Sequence, residues 1–197
     1  MRTGSYGENH RLTLVDRFGV YLSSRNIVSL VRKNKPKRII DIGCGYNAVV
    51  LGRLKSLSQD LTGIDVKINP EVEGIRKIEK IIGNDVAFLE DRSADLIIMN
   101  SVLEHLSEPE KILKEIYRIL DTKGMLILNV PNWLGKYFLE FSAFRLGLSP
   151  SEEMNDHKMY YNKKDIWPLL VKAGFHPKHI KIKYHKLFLN TICYVKK

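Results

Sequence analysis

Short apolar runs, several of them closed by a glycine, proline or asparagine break, recur along this 197-residue chain. Arg38-Ile39-Ile40-Asp41-Ile42 runs into Gly43-Cys44-Gly45. Leu61-Thr62-Gly63-Ile64-Asp65, Lys77 to Ile82 and Asp95-Leu96-Ile97-Ile98-Met99-Asn100 repeat the form, and Met125 to Val130 follows. Runs rich in branched residues read as buried strands. Between several of them lie segments of helical period. Leu14 to Val31 carries Phe18, Tyr21, Leu22, Ile27, Val28 and Val31 at helical spacing, and Asn34-Lys35-Pro36 ends it. Ala48 to Leu57 reads as a second helix. A third follows Ser107, read as its cap, with the stripe Ile112, Leu113, Ile116, Ile119 and Leu120 and Gly124 as its stop. Strands alternating with helices predict a parallel sheet covered on both faces. The stretch between the second and third strands is short for a full helix, so that crossover is abbreviated.

The last stretch breaks the pattern. Ile180, Ile182 and Tyr184 alternate with His179, Lys181 and Lys183, and a second strand-like run, Leu187 to Val195, follows after a few residues. A parallel return needs a longer crossover, so these two strands form an antiparallel hairpin. Lysines on the first of them suit a sheet edge.

Length suits one α/β domain over residues 1–197, with 133–161 as an insertion. No apolar run approaches the about 20 residues of a membrane span, and the N-terminus has no signal-peptide core, so a cytoplasmic protein is expected. The two cysteines, Cys44 and Cys193, cannot make a disulfide framework, and no Cys/His spacing reads as a metal site. The formal charge is +10. Six basic residues and no acid lie between Phe18 and Ile40, and nine lysines face one acid from Lys163 onward. That balance would attract RNA or another anionic partner; a lysine-rich surface that only maintains solubility is the plainer reading, because stacking aromatics are not interleaved.

A strand, a glycine loop and a helix make a nucleotide pocket, because glycines let the backbone approach a ligand. Asp65 ends the next strand, twenty residues after Gly45, where a carboxylate can hold a ribose. Gly43-Cys44-Gly45-Tyr46-Asn47-Ala48 also matches a dinucleotide pattern. Asp41 favours another cofactor: a carboxylate there repels a pyrophosphate but suits an ammonium and a sulfonium. Asn84-Asp85 after the third strand suits an adenine amino group.

Taken in order, Asp41 to Gly45, Gly63 to Asp65, Asn84-Asp85, Asp95 to Ile97, Leu103 to Leu106, Lys123-Gly124 and Val130 to Asn132 resemble class I S-adenosylmethionine-dependent methyltransferases, in the type 11 and ubiquinone-biosynthesis group. The likeness covers residues 38–132, with a weaker echo to 175. It implies an α/β, Rossmann-like doubly wound, mostly parallel seven-stranded sheet with a C-terminal antiparallel hairpin. It implies S-adenosyl-L-methionine as cofactor, bound by Asp41, Gly43, Cys44 and Gly45, by Asp65, and by Asn84, Asp85 and Val86, with Asn100 and Ser101 lining the transfer site. His105 and His157 are the candidates for a catalytic base, each with a structural role as the alternative. Cys44 reads as a small loop residue. Where Asn47 stands, the family often has a third glycine.

Trp133 to Tyr161 is the substrate region by elimination. Trp133, Leu134, Tyr137, Phe138, Phe141 and Phe144 recur at helical spacing and read as core or lid packing, then as a membrane-surface helix. A small-molecule acceptor is the expected partner. An RNA or protein methyltransferase, a non-catalytic cofactor-binding module and a dehydrogenase are the alternatives.

Overall fold

The computed structural model describes residues 4–8, 14–83, 86–144 and 157–197, without the side chains of 14–16 and 139–144. The branched runs become parallel strands: β1 (Arg38–Ile42), β2 (Asp60–Asp65), β3 (Arg76–Glu79), β4 (Ala94–Asn100) and β5 (Leu120–Pro131). β6 (Ile180–His185) and β7 (Asn190–Lys196) form the hairpin, and β7 pairs antiparallel with β5. The seven-stranded order is β3-β2-β1-β4-β5-β7-β6, which puts the lysine-bearing β6 at an edge. Strand order reverses between β1 and β4. In open α/β sheets the crevice beyond the strand ends at such a point is where ligands bind.

Alternation along the strands separates two cores. Ile40, Ile42, Ile97 and Met99 join one cluster with α3 (Pro109–Ile119) and α5 (Lys163–Lys172). Ile39, Leu96, Ile98 and Ile127 join the other with α1 (Leu14–Asn34) and α2 (Val49–Gly52). Ile27, Val31, Leu51, Ile112, Ile116 and Ile166 are each at most 1% exposed, so the helices are held by these apolar faces rather than by propensity.

Several boundaries differ from the sequence expectation. α1 runs three residues past Val31 to Asn34 and stops where Lys35 turns left-handed, at φ 49°. Within α1 the stripe is split: Ile27 and Val31 are buried, but Phe18 and Tyr21 are exposed. The helix expected over 48–57 is regular only over Val49–Gly52, because Ala48 enters it at φ 43° and the chain then leaves in tighter i→i+3 turns at Leu54 and Leu57. β3 is shorter than expected, whereas the crossover before it is abbreviated as expected and carries no helix. Ser107 does not cap α3. Glu108 stands at the cap position, its carbonyl accepting from Lys111 and Ile112, while the Ser107 hydroxyl accepts from Lys158 Nζ at 3.2 Å. Gly124 does not stop α3 either. The chain turns extended at Leu120, which is fully buried and pairs with Ala94, so burial ends the helix four residues earlier.

Candidate functional site

β1 and β2 deliver the first half of the site. Gly43 and Gly45 take φ of 77° and 75°. At Gly43 a Cβ would stand 2.2 Å from Val102 Cγ2, so any side chain there would have to displace Val102. The loop is tied to β2 by its own backbone. Gly43 N and Cys44 N both donate to the Ile64 carbonyl, at 2.8 and 3.2 Å. Gly45 N donates to Asp65 Oδ2 at 2.7 Å. Asp65 Oδ1 accepts from Val66 N at 2.8 Å and from the Ser5 hydroxyl at 2.5 Å.

Asp41 is 1% exposed, and its carboxyl is pushed up to about 8, first by burial and then by the nearby Asp65 charge. A buried carboxyl of this kind is poised to receive a cationic group, which would restore its charge. Burial, then Asp41 and Asp65, push the Cys44 thiol well above its ordinary range, so Cys44 is an inert loop residue.

Residues 4–8 lie over this half, a feature no motif announces. Tyr46 N donates to the Tyr6 carbonyl at 2.9 Å, Lys67 N donates to the Ser5 hydroxyl at 2.7 Å, and Lys67 Nζ pairs with Glu8 at 2.6 Å. Tyr6 and Gly7 line the pocket.

β4 and β5 deliver the other half. Asn100 accepts from Asn129 Nδ2 at 2.8 Å, and Ser101, at φ 58°, donates its N–H to the Asn129 carbonyl at 2.8 Å. A 3₁₀ turn, Leu103–His105, follows. Lys158 N and Met159 N donate to the Glu104 carbonyl at 2.8 and 3.4 Å, and this brings His157 back to His105. Their ring centroids are 4.7 Å apart, and Tyr160 Oη lies 3.0 Å from His157 Nδ1. Burial and the charges of Glu104 and Asp165 push the Tyr161 phenol up to about 12.

α4 (Trp133–Phe144) and the β6–β7 turn form the rim. Asn132 joins them: its Nδ2 donates to the Phe188 carbonyl at 2.7 Å, and its Oδ1 accepts from Gly135 N at 2.8 Å. In the turn, Lys186, Leu187 and Phe188 are all left-handed, with φ of 48°, 56° and 70° and no glycine. Leu187 is 79% exposed. Trp133, Leu134, Tyr137 and Phe138 are exposed as well, so this part of the aromatic stripe is not core. Phe138, Leu187 and Phe18 line the pocket mouth.

One pocket of about 390 Å³ spans both halves. It brings together Asp41, Gly43, Cys44, Gly45 and Asp65 with Asn100, Ser101, His105 and His157. Val86 is fully buried within the core rather than on the pocket wall. Asn84 and Asp85 lie outside the described residues, as do Phe144's and Phe141's side chains. Ser5, Tyr6, Phe18 and Leu187 escaped sequence reasoning. Phe18 sits on an otherwise amphipathic helix, and its only signal would have been the break in that helix's stripe.

A glycine-looped crevice at the switch point, walled by carboxylates and closed by a reversed last hairpin, defines a class I S-adenosylmethionine-dependent methyltransferase. A family model described as a methyltransferase domain matches residues 15–180, and the chain belongs to that family. It is therefore an enzyme of methyl transfer, and the dehydrogenase alternative falls. The chain is 30% identical over 162 residues to an uncharacterised protein of Methanocaldococcus jannaschii, covering 77% of this chain and 69% of that one. It is 25% identical to ajmaline N-methyltransferase of Rauvolfia serpentina over 61% of this chain and 43% of the relative, so it spans less than half of that enzyme. A solved S-adenosylmethionine-dependent methyltransferase of Archaeoglobus fulgidus shares the fold, with a TM-score of 0.63, 16% identity and coverage of 93% and 100% of the two chains. No helix among the described residues is long and apolar enough to cross a membrane.

Proposed function

We propose that this enzyme methylates a small, partly apolar acceptor. The observation that carries the reading is the continuity of a single pocket from Asp65 to the His105–His157 pair, with apolar side chains at its mouth. When bound, the cofactor supplies a methyl group on a sulfonium that is already a good leaving group. The residues then have simple tasks. Asp65 accepts from the ribose hydroxyls, with Gly45 N keeping its orientation. Asp41 faces the ammonium. Gly43, Cys44 and Gly45 leave room for the methionine part, and Asn84 and Asp85 serve the adenine. Asn100 and Ser101 line the transfer point. His105 and His157 face the acceptor. Holding the acceptor in line and excluding water is the main contribution such a site makes. Residues 133–161 would serve as the substrate region within a single domain, with Phe138 at the mouth.

A labelled-methyl assay on host extract, split into low-mass, lipid, RNA and protein fractions, tests this. Label in the low-mass fraction is the expected result, and label confined to RNA or protein overturns it. The RNA alternative draws on the +10 charge and on a 31% identical relative named tRNA U34 carboxymethyltransferase, of which the chain spans 43%. It requires RNA affinity that falls steeply with salt.

A further inference from the structure

Three donor side chains meet at the acceptor end of the pocket. Glu104 and His105 are neighbours on the 3₁₀ turn, and His157 comes from a distant segment. One ligand atom of each lies within 4.8 Å of the others. We propose that Glu104, His105 and His157 hold a divalent cation of the zinc, cobalt or manganese class, whose open positions take an oxygen of the methyl acceptor. The cation site stands by itself; the acceptor's place on it rests on the methyl-transfer reading.

Two imidazoles and one carboxylate suit such a borderline ion, and three protein ligands leave positions for water or substrate. Ligand bonds of about 2.0–2.2 Å put donor atoms about 3–3.5 Å apart, so binding would draw the three donors closer than they stand in the structure. Glu104 is 1% exposed, and a carboxylate withdrawn from water is stabilised by an adjacent cation. Outer support is in place. Tyr160 Oη engages Nδ1 of His157 at 3.0 Å, as an outer partner orients a ligating histidine, and the Glu104 carbonyl fastens the 157–159 segment to the turn. All three residues belong to the lining of the pocket that Asp65 lines. An acceptor hydroxyl bound to the cation becomes more acidic: its O–H bond breaks, the proton passes to water, and the oxygen keeps the electron pair.

Metal-free full-length protein titrated with Co²⁺ alone, followed by visible absorption, tests the site. One equivalent should give ligand-field bands. His157→Gln and His105→Gln should weaken binding about hundredfold or more, and Tyr160→Phe about tenfold or more. His176→Ala, in the other histidine pair, whose rings lie 5.7 Å apart outside the pocket, should change nothing. No bands, or bands kept in His157→Gln and lost in His176→Ala, overturn the proposal. If circular dichroism finds a variant unfolded, unaltered ring resonances of His105 and His157 on adding Co²⁺ to the unsubstituted protein overturn it equally. S-adenosylhomocysteine binding is measured separately. Cobalt binding without it leaves the cation site standing and removes the methyl-transfer reading; the reverse result removes only the cation.

Discussion

Around Asp41 and Asp65 the pocket is built on the adjacent ends of β1 and β2, with residues 4–8 laid over them, and its two carboxylates are buried and its loop tied down by backbone hydrogen bonds. Around His105 and His157 it is assembled from β4, the 157–160 segment, α4 and the β6–β7 turn, with apolar side chains open to solvent. The first construction suits an invariant ligand, since strand ends hold groups rigidly. The second suits a ligand that differs between related enzymes, since exposed connections accept change at little cost to the core. On the proposed reading, the part of the cavity assigned to the cofactor and the part assigned to the acceptor differ in how much of the fold they depend on.

Substitutions can break or sharpen that contrast. Gly43→Ala should have the largest effect. It adds a methyl where Val102 already stands and forces a left-handed alanine, for a loss of about 2–4 kcal/mol in denaturant unfolding and of S-adenosylhomocysteine binding in calorimetry. Asp65→Ala should leave the protein folded and weaken that ligand about ten- to a hundredfold, since a charge-assisted hydrogen bond contributes about 1.5–3 kcal/mol.

Asp41 makes a pH prediction. Its folded value, about 8, lies above its ordinary 3.8, so the folded chain holds a proton that the unfolded chain has lost. Its contribution is complete below about pH 4 and disappears as pH rises to about 8, at up to about 1.4 kcal/mol per pH unit. Asp41→Asn should flatten that decline in urea titrations across the window, while weakening the ligand. A cationic ligand restores the Asp41 charge, so binding at neutral pH should release close to one proton. Calorimetry in buffers of different ionisation enthalpy measures this, and no release would mean Asp41 does not face the ammonium.

Smaller effects should follow at the edges. Ser5 occupies the Asp65 oxygen that a ribose would use, so Ser5→Ala should tighten S-adenosylhomocysteine binding by about a few fold, less than one net hydrogen bond's worth. Leu187→Ser should change stability by less than about 0.5 kcal/mol and leave the ligand's affinity alone, because the side chain is 79% exposed. Its effect should be confined to KM for an apolar acceptor. A loss of cofactor affinity there would erase the contrast.

The same division governs what could be read from the sequence. Asp41, Gly43, Gly45 and Asp65 were readable because a strand, a glycine break and a terminal acid are local signals, and the hairpin because its connection is too short for any parallel return. α2 and the start of β5 were not. Ala48 enters a left-handed conformation, and Leu120 leaves its helix for a buried slot beside Ala94, both set by packing at a distance. His105 and His157 were found singly. That they touch, and that Glu104 stands with them, depends on backbone pairing between segments far apart in the chain. Ser5 and Tyr6 carried no signal at all, since a serine and a tyrosine near a terminus have no periodicity to betray a partner.

The missing side chain at Gly43 has a consequence for how the enzyme answers its two ligands. Val102 fills that space, and Val102 begins the turn that carries Glu104 and His105. Movement of either loop presses directly on the other, with no soft layer between to absorb it. Thermodynamic linkage then requires reciprocity: whatever factor an acceptor applies to cofactor affinity, the cofactor applies to the acceptor. Cofactor affinity and acceptor affinity would then be coupled through this one valine–glycine contact.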